Sequence, residues 1–276
     1  NLSTGNIENL EDIKDKITFV KSDINNTKDI LPIAKGIDFI LHLAAQISVP
    51  RSVEEPAETF FANTQGTLSI LEVARQVGAK KVVLSSSAAI YGEHTIPPCK
   101  ETALPDCKSP YALGKLQGEE MLKMYNTLYN VPTAILRYFN VFGPRQNPNS
   151  AYAAVIAKFV DTFAKKGEIT IFGDGLQTRD FVFVKDVARA NIFAALNLSN
   201  GEVYNVATGA HYTLLDLIGT LEELFDYKVK CKFMPTRLGD IKESFADTTK
   251  LFSTGFKPEY NLKSGLKEML QTMGLL

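Results

Sequence analysis

Four short, unbroken apolar runs mark the first half of the chain: Ile17–Val20, Phe39–Leu43, Lys81–Leu84 and Thr133–Tyr138. Each is rich in Val, Ile, Leu or Phe, as a strand buried on both faces of a parallel sheet should be. Between them, Ala57–Gln76 and Tyr111–Tyr129 carry apolar residues at helical spacing, and Gly78 supplies a stop after the first. The alternation predicts an α/β fold with a doubly wound parallel sheet and right-handed crossovers.

The pattern changes after Asn140. Helical spacing over Tyr152–Lys166 and Lys185–Leu196 alternates with short strands at Ile169–Phe172, Phe181–Val184 and Val203–Val206. A helix near Leu214–Phe225 and a strand near Val229–Phe233 follow. This interleaving predicts a smaller α/β lobe, residues 146–276, beside a sheet domain over 1–145, with some elements returning to the sheet.

Composition narrows the function classes. At 276 residues and 45% hydrophobic content the chain is an ordinary globular protein. A net charge of −1 gives no general reason to bind nucleic acid or an anionic membrane. No apolar run approaches the ~18 residues needed to span a bilayer. Cys99, Cys107 and Cys231 have no metal-ligand spacing and suit free thiols in a reducing cytoplasm; His42, His94 and His211 are scattered, so no metal site is expected.

Ligands of open parallel sheets sit beyond the carboxyl ends of the strands. Those ends carry "SDIN", "HLAAQ", "SSSAAIYG" and "RYFNVFGPR", polar or small residues on four different strands. A strand end can be polar simply because it meets water, but four together point to a shared cleft. After the serine-rich end comes "SPYALGK", with Tyr111 one helical turn ahead of Lys115. With ten tyrosines in the chain, about one such pair is expected by chance. Chemically the pair is apt. A phenol titrates near ~10, so service as a base near neutrality needs a shift of about three units, roughly 4 kcal/mol. An ammonium on the same helix face favours phenolate.

"SSSAAIYG", "SPYALGK", "LRYFNVFGPRQ", "GDGLQTRDFVFVKDVA" and "RLGDIKES", in this order, resemble the extended short-chain dehydrogenase/reductase superfamily. Within it they look like NAD-dependent nucleotide-sugar epimerases of the UDP-glucose 4-epimerase type. The resemblance implies a Rossmann-like NAD-binding domain followed by a nucleotide-sugar lobe. It implies Ser87, Tyr111 and Lys115 as catalytic residues: Tyr111 takes the proton of the sugar 4-hydroxyl, NAD takes the hydride from C4, and the 4-keto sugar turns over before both return. Relatives that dehydrate or decarboxylate carry an acid after the serine position. Here Ala88 and Ala89 stand there, which favours plain epimerisation.

By the same resemblance NAD meets Asn1, Ser3, Thr4 and Gly5 at the adenosine ribose and Asp23 and Ile24 at adenine. Leu43, Ala44, Ala45 and Ile47 pack along the dinucleotide, with Asn63, Ser85, Tyr111, Lys115, Tyr138 and Phe139 completing the set. The UDP-sugar falls to Ser87, Tyr111, Asn140, Arg179, Arg237 and Asp240, and to the backbone of Thr170, Ile171 and Phe172. Ser244 stands where glucose/galactose enzymes hold a large tyrosine, which tilts the expected substrate toward UDP-N-acetylglucosamine/N-acetylgalactosamine, with UDP-glucose/galactose also accommodated. Asp186 is read as a helix N-cap.

The family's strand–GxxGxxG–helix motif does not occur. The expectation is that about thirty residues, one strand–helix–strand unit, precede Asn1, or that the chain lacks them and NAD affinity collapses. UDP-glucuronate 4-epimerase or another sugar-nucleotide reductase or dehydratase, a non-catalytic dinucleotide sensor, and an inactive fragment remain the alternatives. The resemblance also implies a homodimer through Ala57–Gln76 and Tyr111–Tyr129.

Overall fold

The computed structural model describes residues 1–146, 155–236 and 241–276. It divides into two compact units. The first comprises Asn1–Ser85, Ser109–Ile135 and Ser199–Glu202; the second takes Ser86–Lys108, Leu136–Leu198 and Val203–Leu276.

The first unit opens with a 3-10 helix, Ile7–Lys16, and helix α1, Thr27–Ile33. Strand β1 (Phe39–His42) pairs parallel with β2 (Lys81–Ser87), His42 opposite Leu84. Between them run α2 (Val49–Glu54), α3 (Pro56–Phe60), a π turn (Phe61–Gln65) and α4 (Gly66–Val77). Gly78 ends α4 in the left-handed conformation, as expected from the sequence. Helix α5 (Pro110–Leu128) starts with Pro110 behind Ser109, whose side chain accepts from the Ala112 N–H. It packs closely: a Cβ on Gly114 would lie 3.3 Å from that of Asn63. Strand β3 (Thr133–Tyr138) follows, and β8 (Glu202–Val206) completes a sheet in the order β1-β2-β3-β8. Leu71, Val82, Val83, Leu122 and Ala134 are fully buried in this unit.

Two expectations change here. Ile17–Val20 joins no ladder among the described residues, and Phe19 stays 45% exposed. An apolar run becomes a strand only where a neighbour pairs its backbone. Strand β1 is not buried on both faces either, because it closes one edge of the order; Leu41 and Leu43 are 41% and 54% exposed.

In the second unit β4 (Asn140–Phe142) pairs parallel with β7 (Phe181–Phe183), and β5 (Glu168–Phe172) with β10 (Lys230–Met234). A third small sheet sets β6 (Thr178–Arg179) between β9 (Tyr212–Thr213) and β11 (Glu243–Ser244). Helices α6 (Val155–Ala164), α7 (Val184–Asn197), α8 (Leu214–Phe225), α9 (Thr249–Ser253) and α10 (Leu262–Thr272) complete it. Its core joins Phe142, Phe163, Phe181 and Phe183 to Leu217, Leu221, Leu266 and Leu270. Each such buried side chain contributes ~1.5–3 kcal/mol.

Asp186 is not an N-cap. It lies inside the first turn of α7, fully buried, and accepts from the Glu259 and Tyr260 N–H groups at 2.9 and 3.0 Å and from Arg189 at 2.6 Å. It thus ties the approach to α10 onto α7. After β2 the chain makes a short 3-10 helix, Ala88–Tyr91, and then turns at Gly92, with φ 63° and ψ −147°. A Cβ there would meet the Asp106 carbonyl oxygen at 2.0 Å, so only glycine fits. The Asp106 carboxylate accepts from Lys108, His94 Nδ1 and the Glu93 and His94 N–H groups. Chiefly the Lys108 bond holds this acid well below the usual carboxylate range.

Candidate active site

In the first unit α5 brings Tyr111 and Lys115 together. Four residues apart, they share a helix face, and the Lys115 ammonium lies 5.9 Å from the Tyr111 ring centroid. Lys115 is 6% exposed and donates to the Ser85 carbonyl at 2.8 Å. Burial pulls its pKa down to about 8, and Glu119 pulls the other way. At neutral pH it remains mostly charged.

His42 opens the "HLAAQ" strand end at the close of β1, which the sequence placed at the cleft without giving the histidine a role of its own. It is buried, and its Nε2 sits 3.0 Å from Thr67 Oγ1. Thr67 spends its own proton on the Asn63 carbonyl at 2.6 Å, so the hydroxyl accepts and His42 carries its proton on Nε2. Burial, then the Lys115 charge, lowers the His42 pKa to about 3. The imidazole is therefore neutral, and no second cation forms beside Lys115.

Asn63 reaches back from the π turn to the loop after β1. Its Oδ1 accepts from the Gln46 N–H at 2.7 Å and its Nδ2 donates to the Gln46 carbonyl at 2.9 Å. The side chain thereby fixes the loop carrying Leu43, Ala44, Ala45 and Ile47, of which Leu43, Ala44 and Ile47 are exposed. At the other end of the expected dinucleotide path, Asn1 Nδ2 donates to Asp23 Oδ2 at 2.7 Å, and the Ser3 N–H returns to Asn1 Oδ1 at 3.1 Å. The Asn25 N–H, then Asn1, holds the Asp23 carboxyl below its ordinary pKa, so it stays ionised beside the half-buried Ile24. Thr4 and Gly5 lie exposed nearby in sequence.

Other expected residues belong to the second unit. Ser87 closes β2 and accepts from the Ala89 N–H at 3.1 Å, a bond that leaves the proton of its hydroxyl unspent. Tyr138 exchanges hydrogen bonds with Asn191 on α7. Phe139 packs with Tyr91, Cys99, Ala207 and Ala246. Behind it lies a buried polar network that the sequence did not announce. Tyr91 donates to Asn205 Oδ1 at 2.6 Å, Asn205 donates to the Cys99 and Asp247 carbonyls, and the Arg137 guanidinium stands 4.9 Å from the Tyr91 ring centre. Burial pushes Tyr91 up to about 12, which keeps it a phenol.

Arg179 on β6 lies opposite Ser244 on β11. The neighbouring Asp180 is fully buried, and its carboxylate takes the Thr208 N–H and hydroxyl and the Gly209 N–H at 2.7–2.9 Å. Asn140 donates from both its backbone and side-chain nitrogens to the Asp180 carbonyl, each at 3.1 Å. Thr170, Ile171 and Phe172 form the end of β5; Ile171 points into the core, so its backbone alone is available to a ligand. Beyond them a cavity of about 620 Å³ is lined by Phe172, Gly173, Gln177, Phe233, Met234 and Lys242, among others. Arg237 and Asp240 lie outside the described residues. Among the described residues no group of His, Cys, Asp or Glu could hold a metal ion, and no helix is long and apolar enough to cross a membrane.

Residues 2–207 match the NAD dependent epimerase/dehydratase family. The chain belongs to that family. It is 41% identical over 276 residues to a putative UDP-glucose 4-epimerase of Methanocaldococcus jannaschii, covering 99% of this chain and 88% of that one. A solved UDP-N-acetylglucosamine 4-epimerase from Methanobrevibacter ruminantium M1, in complex with UDP-N-acetylmuramic acid, superposes with a TM-score of 0.95 at 38% identity, over 100% and 89% of the two chains. The UDP-glucose 4-epimerase of Thermotoga maritima, solved with UDP-glucose, gives 0.92 at 36% identity, over 99% and 88%.

Proposed function

We propose that this family member is a UDP-hexose 4-epimerase, with Tyr111 as acid/base, Lys115 as its electrostatic partner and Ser87 as an orienting hydroxyl. The observation that carries the reading is the buried Lys115 ammonium at the Tyr111 ring. NAD, when bound, supplies reversible hydride acceptance at the sugar carbon. Two features of the chain fit it: the exposed, small-residue loop after β1 pinned by Asn63, and an ionised Asp23 held by Asn1. Tyr111 removes the proton of the sugar hydroxyl and later returns it; Lys115 favours the phenolate throughout. The chain has alanines at 88 and 89, so no carboxyl follows Ser87 to drive elimination.

The cavity beyond β5 suits the uridine end, with Phe172 in its lining and Thr170 and Ile171 preceding it on β5, and Arg179 is assigned to the diphosphate. Ser244, half-buried beside the Arg179 strand, is a small side chain and on this reading accommodates a 2-acetamido group. The expected result is epimerisation of both UDP-N-acetylglucosamine and UDP-glucose. Ser244→Tyr should cut the N-acetylated reaction about 10- to 100-fold and spare the unsubstituted one. A substrate panel read by product separation checks this; equal loss of both sinks the steric assignment.

The same reading includes a homodimer through the helical segments 57–76 and 111–129. Phe61 and Leu128 are 57% and 63% exposed, more than a single chain needs to leave open. Light scattering should give twice the 30.5 kDa chain mass, and Phe61→Asp with Leu128→Asp should halve it. A monomeric wild type rejects the interface.

A further inference from the structure

We propose that Gln46 is a positioning residue for the dinucleotide: its side-chain amide locks the segment between β1 and α2 in the shape that receives NAD. This rests on the cofactor reading given above. Residues 43–48 belong to no helix or strand, so their backbone groups need partners of another kind. Two carboxamides in series supply them. Asn63 brackets the backbone of Gln46, accepting from its N–H and donating to its carbonyl. Gln46 repeats the device two residues on. Its Oε1 accepts from the Ser48 N–H, and its Nε2 donates to the Ser48 carbonyl at 3.1 Å. Nε2 also donates to Thr59 Oγ1 at 3.0 Å. Thr59 is fully buried and spends its own proton on the Glu55 carbonyl, so towards Gln46 its hydroxyl accepts. All three partners therefore demand the same orientation of the amide, and none tolerates the flipped one. The lock ends on Ser48, whose side chain caps α2 by accepting from the Arg51 N–H at 3.2 Å.

With its backbone held from within, the loop turns Leu43, Ala44 and Ile47 outward, Ile47 being 68% exposed. They stand just past the carboxyl end of β1, where ligands of open parallel sheets lie. Both polar atoms of the Gln46 side chain are engaged within the loop and α3, so Gln46 acts on NAD through the loop's shape. A loop without this amide samples other shapes, and a site competent for one tenth of the time binds about tenfold more weakly.

The test measures NAD and UDP affinities by calorimetry, and amide hydrogen exchange by NMR in the cofactor-free full chain. In Gln46→Met, close in shape but without the amide, the Ser48 amide should exchange about tenfold faster or more, while amide 46, held by Asn63, stays protected. The dissociation constant for NAD should rise about tenfold or more, and that for UDP by less than about twofold. An unmoved Ser48 exchange rate, an unmoved NAD constant, or equal weakening of NAD and UDP overturns the proposal. If Gln46→Met does not fold, Thr59→Val decides: it keeps its shape and removes one acceptor of the amide, so NAD should bind about threefold more weakly. An unchanged constant there refutes the lock. A wild type that protects the Ser48 amide but takes up no NAD overturns the cofactor reading together with the proposal. A wild type that binds NAD, beside a variant that binds it equally well, overturns the proposal alone.

Discussion

Tyr111→Phe should lower kcat by about 10³-fold, within the range that one positioned acid/base group contributes. The ring stays in place and only the titrating oxygen goes, so UDP-sugar affinity should change less than about threefold. Lys115, which bonds to the Ser85 carbonyl rather than needing the phenol to hold it, should keep its position. Single-turnover kinetics with binding measured in parallel checks both halves. Turnover within about tenfold of wild type would remove Tyr111 from the chemistry and leave Ser87 as the proton's first acceptor.

Gly92→Ala should be the most damaging single methyl group in the second unit. The residue combines φ 63° with ψ −147°, a region that costs a side chain of order 1–3 kcal/mol. The added carbon would overlap the Asp106 backbone oxygen at 2.0 Å, and backbone cannot swing aside as a side-chain tip can. A loss of about 3–4 kcal/mol is expected, enough to consume much of a domain's net stability. Urea unfolding reads it. A loss under about 1 kcal/mol would mean that the turn relaxes without strain.

How much of this was legible beforehand follows from where the stabilising contacts lie in the sequence. Thr133–Tyr138 and Leu214–Phe225 appear at the expected bounds because a continuous apolar run and a helical stripe are local signals. Ile17–Val20 failed because pairing is a property of two segments, and its own residues show only one. The π turn at Phe61–Gln65 leaves no mark on composition; it shifts hydrogen-bond register inside an otherwise helical stretch. Asp186 looked like a cap because an acid opens a helix there. Its real partners, Glu259 and Tyr260, stand 73 and 74 residues away. Tyr111, Lys115 and Ser87, the proposed catalytic group, stand out in the sequence because they lie in short motifs. His42 and the Tyr91–Asn205 bond, spanning 114 residues, do not.

Asp180 carries a practical warning for anyone re-engineering sugar preference. Its carboxylate fastens the 208–209 turn, and its backbone carbonyl takes both nitrogens of Asn140. Alanine would keep that carbonyl but leave the Thr208 and Gly209 donors unpaired, and the resulting loss of stability would imitate the loss of a ligand contact, although the acid points into the protein. Libraries that vary position 179 or 244 should therefore leave 180 untouched.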